Sequence, residues 1–443
     1  MFGTSGIRGR FGDPITTDLA LQVGRAVGST TDTTVAVIGR DPRTTGALLS
    51  DALSAGLREI GVDVIDIGVA ATPTIARCVA WQNADIGISV TASHNPPTDN
   101  GFKLWNPSGQ AFNASQRAAI TDALENEEAA LADWNTVGQT STWNGAKERH
   151  VATLVAAVSV PESLSVVVDV GNGAGGLTAD ALVELGCDVT TLNAQEDGRF
   201  PGRASEPNAD TLDALMTQVA GSDADLGIAH DGDADRMMAV DETGAFVMGD
   251  ELLALFGRQA ASAGDEIAAP VNTSLVVDDT LATIDASVTR TKVGDVHVAA
   301  ATTREDVVFG GEPSGAWIWP TETLCPDGPL AAVKLVELIA EEGPLSAQRK
   351  TLDQYPLERD SIPTEHKARV FEHVTDLVKD AYEDVQTLDG VRVSTPNGWF
   401  LIRPSGTQPL IRVTAQARTT DDCQALLEEA TNYVTDAHQQ TTN

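Results

Sequence analysis

The chain repeats itself. Leu57-Arg58-Glu59-Ile60-Gly61-Val62-Asp63-Val64 has a second copy in Leu182-Val183-Glu184-Leu185-Gly186-Cys187-Asp188-Val189, and Ala84-Asp85-Ile86-Gly87-Ile88 has one in Ala224-Asp225-Leu226-Gly227-Ile228. An apolar run opens each copy, Val35-Ala36-Val37-Ile38 in the first and Val166-Val167-Val168 in the second. A helical pattern comes next, Ala47 to Ile60 and Leu177 to Leu185, then a glycine and a further strand pattern. A fainter third copy passes through Asp306-Val307-Val308-Phe309-Gly310. Repetition over this distance implies duplicated βαβ units, not a short-period solenoid. From about Leu357 the pattern changes to a helix at His366 to Tyr382, strands near Val391 and Trp399, and a last helix from Asp421. The predicted fold class is α/β: three related mixed α/β domains and a C-terminal α+β domain around a central cleft. The Thr-, Ser-, Gly- and Asn-rich stretch from Asn135 to Gly145 reads as a turn region, and Gln439 to Asn443 as a frayed tail.

The loops after the matched strands differ, and there the chemistry begins. The first copy runs into Thr91-Ala92-Ser93-His94-Asn95-Pro96, the second into Asp231-Gly232-Asp233-Ala234-Asp235-Arg236, the third into Gly311-Glu312-Pro313-Ser314-Gly315. Ligands of open α/β sheets bind beyond the carboxyl ends of the strands, so three domains facing one cleft would gather these three loops.

Composition narrows the ligand. Sixty-four Asp plus Glu oppose 29 Lys plus Arg, for a formal charge of -35, and only seven residues are lysine. Such a surface repels nucleic acid and anionic lipid, which removes both as partners. A lysine-poor acidic shell fits a salt-saturated cytoplasm, where the Debye length is about 3 Å. No apolar run approaches the roughly 18 residues of a membrane helix. Cys78, Cys187, Cys325 and Cys423 are far apart in the sequence and are expected to be reduced and buried, as in a cytoplasmic protein.

Ser93 reads either as a turn residue or as a nucleophile, for which His94 and Lys103 are the nearest titratable and cationic groups. Asp231, Asp233 and Asp235 alternate, so an extended backbone would put their carboxylates on one side, an oxygen-only set suited to Mg²⁺ or Ca²⁺. An EF-hand is excluded: Arg236 stands where that loop turns on glycine, and strand patterns flank the cluster. Gly171-Asn172-Gly173-Ala174-Gly175-Gly176 matches GxGxxG and supplies a rival, a nicotinamide-dependent oxidoreductase, although hydride transfer needs neither the serine nor the acidic triad. Arg403-Pro404-Ser405-Gly406-Thr407 combines a cation, two hydroxyls and a glycine, the makings of a phosphate cradle after the strand Trp399 to Ile402. Arg8 lies in the glycine-rich opening Gly3-Thr4-Ser5-Gly6-Ile7-Arg8-Gly9.

Taken together, GTSGIRG, TASHNP, NGFK (Asn100 to Lys103), DGDADR, KVGD (Lys292 to Asp295), GEPSG and RPSGT resemble the α-D-phosphohexomutase family, in family order across the chain. The resemblance implies four domains, at 1–148, 149–249, 250–356 and 357–443. It implies a phosphoserine at Ser93, and Mg²⁺ held by Ser93, Asp231, Asp233 and Asp235. A hexose 1,6-bisphosphate would be the intermediate, and small sugar phosphates the partners. Arg8 and Lys103 would stabilise transferring charge, and Lys103 or His94 would handle the hydroxyl proton. Glu312 and Ser314 would hold sugar hydroxyls, and Arg403, Ser405, Gly406 and Thr407 the phosphate that stays behind. Lys292 joins the substrate-binding set, and Arg8, Lys103, Lys292 and Arg403 are expected to line the cleft. GEPSG is similar to the sugar loop of phosphoglucosamine mutases, which favours interconversion of glucosamine 6-phosphate and glucosamine 1-phosphate. Phosphomannomutase/phosphoglucomutase activity is the alternative. Ala316 after that loop, and Gln408 after Thr407, depart from the patterns of other members.

Overall fold

The computed structural model describes residues 3, 6–126, 129–405 and 408–442, which form four sheets. In the first, Asp99–Trp105 runs antiparallel to Ile86–Val90, which is parallel to Val35–Arg40, itself parallel to Asp63–Val69. The second sheet sets Met237–Asp241, Leu226–His230, Ser165–Asp169 and Asp188–Leu192 in the same order and directions. The third does so with Ala316–Ile318, Val307–Glu312, Glu266–Pro270 and Ser287–Thr291. The repeat in the sequence is thus a repeated four-strand unit. The first sheet extends it with Ile7–Phe11 and Pro14–Ile15 on one edge and Thr140–Thr142 on the other.

Glycine sets the helix packing in the first unit. Thr17–Thr30, capped by the Thr16 hydroxyl, lies on Gly46–Glu59 so closely that a Cβ on Gly24 would stand 2.4 Å from the Leu53 carbonyl oxygen. Leu19, Val23, Val27, Leu49, Leu53 and Leu57 fill the space between these helices and the sheet, each worth about 1.5–3 kcal/mol of burial. A single apolar cluster runs from Val166 and Ile228 through Phe256, Phe309 and Trp317 to Leu335, so the second and third sheets share one core. The fourth sheet, ordered Leu357–Pro363, Leu410–Ala417, Gly398–Pro404, Val391–Thr395, Val385–Gln386, is antiparallel throughout. Lys367–Ala381 and Thr420–Thr442 pack on it through Val370, Val374, Val378, Leu426 and Val434. It meets the third domain through Trp399, Leu401 and Val271, and through Gln416, whose side-chain amide bonds Ser274 and the Leu275 N–H.

Three expectations are corrected. The last helix continues to Thr442 instead of fraying from Gln439, because Val434 and Ala437 anchor its final turns in the core. The stretch from Asn135 to Gly145 contains the edge strand Thr140–Thr142, paired with Val64–Asp66. Arg403 lies inside a strand, Gly398–Pro404, not after it. No described helix is long and apolar enough to cross a membrane.

Candidate active site

The three variable loops occupy one structural position. Each joins the third strand of its unit to the antiparallel fourth, at the carboxyl end of the third strand. In the first, Ser93 is buried and adopts φ +52, a left-handed conformation costly for a residue with a Cβ. A buried arginine holds the loop there. Arg43 donates to the carbonyls of Ser93 and Asn95 at 2.7 Å, of Pro96 at 2.6 Å and of Asp99 at 2.9 Å, and its Nε pairs with Asp41. The Thr91 hydroxyl accepts from the Ser93 N–H and donates to Asp41, and Ser205 Oγ donates to the Ser93 carbonyl.

Ser93 Oγ donates to Asp231 Oδ2 at 2.6 Å and lies 3.5 Å from Asp235 Oδ1. Asp231, Asp233 and Asp235 are buried, and an oxygen from each lies within 4.8 Å of the others. They converge by a turn and not by extended alternation: Ala234 takes φ +56 and its N–H bonds the Asp231 carbonyl. A strand would have spread the carboxylates along one edge, whereas the turn folds them around a point. Lys103 Nζ bonds Asp233 Oδ2 at 2.7 Å and also Asp235 Oδ2. Thr72 donates its hydroxyl to Asp233 Oδ2 at 2.6 Å and its N–H to the Asp233 carbonyl. That leaves Asp233 Oδ1 buried with no partner among the described residues. Asp231 is pushed up by burial and by its two carboxylate neighbours. Asp233 resists its own burial and stays below the usual range because of Lys103, Thr72 and Arg8. Burial disfavours the charge on Lys103, yet Asp233 and Asp235 hold it above the ordinary lysine value. An all-oxygen, anionic set with an orphaned buried carboxylate oxygen fits a hard divalent cation such as Mg²⁺.

The glycine run Gly171 to Gly176 braces this loop. A Cβ on Gly173 would stand 2.7 Å from the Gly232 carbonyl oxygen, and one on Gly175 2.9 Å from the His230 ring. Ala174 N–H bonds the Gly232 carbonyl. The glycines are therefore spent on close approach to the acidic turn, which explains the motif without a dinucleotide.

A cleft of about 290 Å³ opens beside Ser93, walled by Arg8, Asp235, Arg236, Asp295, Glu312 and Ser314 among others. Arg8 reaches it from Ile7–Phe11, which pairs with Asp99–Trp105 so that Arg8 faces Gly101. His94 is half-buried, and burial together with Arg236, Arg8 and Lys103 pushes its pKa down to about 3, leaving the ring uncharged. Glu312 accepts the Gly294 N–H at 2.7 Å. Burial and then Asp295 lift its pKa to about 7. The 311–315 loop is tied to the segment after the acidic turn, since Met237 N–H bonds the Gly315 carbonyl. Two expected cleft cations contribute no wall: Lys103 is buried against Asp233 and Asp235, and Lys292 is exposed, while from its loop Val293, Gly294 and Asp295 line the cleft.

A second cavity, about 520 Å³, lies against the fourth sheet and contains Arg403 and Ser405. Gly406 and Thr407 lie outside the described residues. Arg359 and Arg412 line it too, and Arg412 stands in register with both Arg403 and Ser361. Sequence reasoning missed Arg359 and Arg412, because nothing local announces which strands are neighbours. It also missed Arg43, Thr72, Arg236 and Asn272, the residue that lines both cavities. For Arg236 a signal was present: it closes the acidic motif itself.

The chain is similar to known proteins over nearly its whole length. The descriptions Phosphoglucomutase/phosphomannomutase, alpha/beta/alpha domains I, II and III match residues 1–131, 148–244 and 248–355, and the C-terminal domain matches 363–432. A probable phosphoglucosamine mutase of Methanosarcina acetivorans is 47% identical over 95% of this chain and 96% of its own length. One from Methanopyrus kandleri is 44% identical over 98% and 97%. The crystal structure of a phosphoglucomutase/phosphomannomutase family protein from Burkholderia thailandensis superposes with a TM-score of 0.88 at 26% identity, covering 99% of this chain and 98% of that one. With four domain matches in order and relatives of this similarity over nearly the full length, the chain belongs to the phosphoglucomutase/phosphomannomutase family of α-D-phosphohexomutases.

Proposed function

We propose that this chain is a phosphoglucosamine mutase, interconverting glucosamine 6-phosphate and glucosamine 1-phosphate through a phosphoserine at Ser93. The observation that carries the reading is Ser93 Oγ, 2.6 Å from Asp231 in a buried acidic turn, beside a cleft that shares Asn272 with a second cavity lined by three arginines. In the forward step the Ser93 Oγ–phosphorus bond breaks as a bond forms from phosphorus to the free sugar oxygen. The sugar hydroxyl's proton leaves to a base, and the product is a hexose 1,6-bisphosphate. After the sugar turns over, the reverse step returns its other phosphate to Ser93. Asp231, Asp233, Asp235 and the Ser93 phosphate would hold Mg²⁺, which neutralises charge on the transferring group. Arg8 and Arg236 line the same cleft from two domains. Lys103, kept charged by two carboxylates, is suited to fixing them; His94 is uncharged, and the added negative charge of a phosphoserine would raise its low basicity toward that of a proton acceptor.

Glu312 and Ser314 are assigned to the sugar, Arg403, Ser405, Gly406 and Thr407 to the phosphate that stays behind. A buried carboxyl beside Asp295 suits the ammonium of an amino sugar, because a cation favours its ionised form. The names of the relatives point the same way. We read the acidic surface as adaptation to high salt and, with four buried free cysteines, the location as cytoplasmic. The test is initial-rate assay of glucosamine, glucose and mannose 1-phosphates at high salt, primed with bisphosphate. Glucosamine 1-phosphate should have the highest kcat/KM; no turnover of any of the three refutes the assignment.

A further inference from the structure

A sugar phosphate lying across both cavities needs them held at a fixed spacing, and one side-chain oxygen joins their walls. Asp389 sits in the loop between Val385–Gln386 and Val391–Thr395. Its Oδ2 accepts from Arg403 Nη2 at 2.7 Å and from the backbone N–H of Val293 at 3.0 Å. Arg403 belongs to the cradle, and Val293 to the wall of the cleft beside Ser93. The next residue along, Gly294, donates its N–H to Glu312. A single dipeptide, Val293-Gly294, therefore holds Asp389 through one amide and Glu312 through the other. The Asp389 loop is also seated on the arginine: Gly390 has φ +97, and a Cβ there would lie 2.4 Å from Arg403 Cγ.

We propose that Asp389 is a positioning residue that sets the register between Arg403 and Glu312, the groups assigned to the distal phosphate and to the sugar; the inference rests on that assignment. Two donors from two domains on one oxygen give the carboxylate a role that neutralising Arg403 alone does not require. The cost to phosphate binding is limited, because a guanidinium carries five N–H donors and, among the described residues, the Nη2 group alone is committed here. Without the carboxylate, Arg403 and the Val293-Gly294 turn lose their common anchor, and their register is left to the Trp399, Leu401 and Gln416 contacts with the third domain.

The test compares full-length wild type with Asp389→Ala, Asp389→Asn and Asp389→Glu at high salt. It measures initial rates against glucosamine 1-phosphate, with the Ser93 phosphate followed by intact mass. Asp389→Ala should raise KM on the order of tenfold, while kcat changes by less than about threefold and Ser93 loading stays at the wild-type level. Asp389→Asn, which keeps a neutral acceptor for the Val293 N–H, should raise KM less. Asp389→Glu, which keeps the charge but lengthens the reach, should not restore it. A KM that falls would overturn the proposal, because the carboxylate would then be competing with substrate phosphate for Arg403. An unchanged KM overturns it as well. If Asp389→Ala fails to fold, the same two outcomes are read from Asp389→Asn. A wild-type protein without turnover refutes the assigned function, which separates the two failures.

Discussion

The two halves of the site are built in opposite ways. Around Ser93 the serine, the lysine and the acidic triad are buried and cross-bonded: Ser93, Lys103, Asp231, Asp233 and Asp235 are all within the protein, and Thr72, Arg43 and Ser205 fix the loops from other segments. The cradle on the fourth sheet is open. Arg359 and Arg412 are exposed there, and Arg403 is half-buried beside Asp389. Charges in the buried corner act at low effective dielectric and are little screened, whereas those in the cradle work in water and feel salt. The division suits the chemistry. The reacting phosphoryl group needs charges fixed in advance, since reorganising them during transfer raises the barrier. In the proposed reaction the cradle would accept whichever phosphate is not reacting, in either orientation of the sugar, and an exposed fork of arginines tolerates that exchange.

The comparison breaks if the two halves respond alike to substitution. The largest effect is expected in the buried corner. Asp233→Asn removes the carboxylate whose free oxygen would complete the proposed metal set, and should lower kcat by about 10³-fold or more with a matching loss of Mg²⁺ affinity by titration calorimetry. A loss carried only by KM would place Asp233 outside the reacting centre. In the cradle, Arg403→Ala should instead raise KM by about 10- to 100-fold and change kcat little. Steady-state kinetics at several salt concentrations would show the KM penalty shrinking as salt screens the wild-type arginine.

A smaller effect sharpens the boundary between the halves. Glu312 is lifted to about 7 by burial and Asp295, so it gains its charge as pH rises through neutrality. KM for an amino sugar phosphate should fall across that pH, by a few-fold, and the inflection should vanish in Glu312→Gln. The same shift has a stability sign. The folded protein keeps this proton from the ordinary carboxylate range up to about 7, so Glu312's contribution to stability declines as pH rises through that window. Denaturant midpoints of wild type and Glu312→Gln should converge toward acid and separate above neutrality.

The halves also differed in how far the sequence disclosed them. The repeat exposed the three domains because strand and helix periods survive in each copy, and loop position within the repeat led directly to Ser93, Asp231 and Glu312. The turn that gathers the carboxylates was misjudged, since alternation in DGDADR reads as strand and nothing marks Ala234 for a left-handed conformation. Residues that act through distant pairings were out of reach. Thr72 meets Asp233 across two domains, Arg43 reaches Ser93 from another loop, and Arg412 joins the cradle only through strand register. Lys292 shows the converse error: its motif matched, but the wall is made by the three residues after it.

The central claim is that Ser93 carries the phosphoryl group, and it can be tested in a single turnover. Protein treated with glucose 1,6-bisphosphate and desalted should show one added phosphate by intact mass, mapped to Ser93 and absent from Ser93→Ala. Mixing that protein with glucosamine 1-phosphate and Mg²⁺ should discharge the phosphate into glucosamine 1,6-bisphosphate at a rate no slower than kcat. A protein that turns over substrate without ever carrying phosphate on Ser93, or a Ser93→Ala variant that retains activity, would contradict the account.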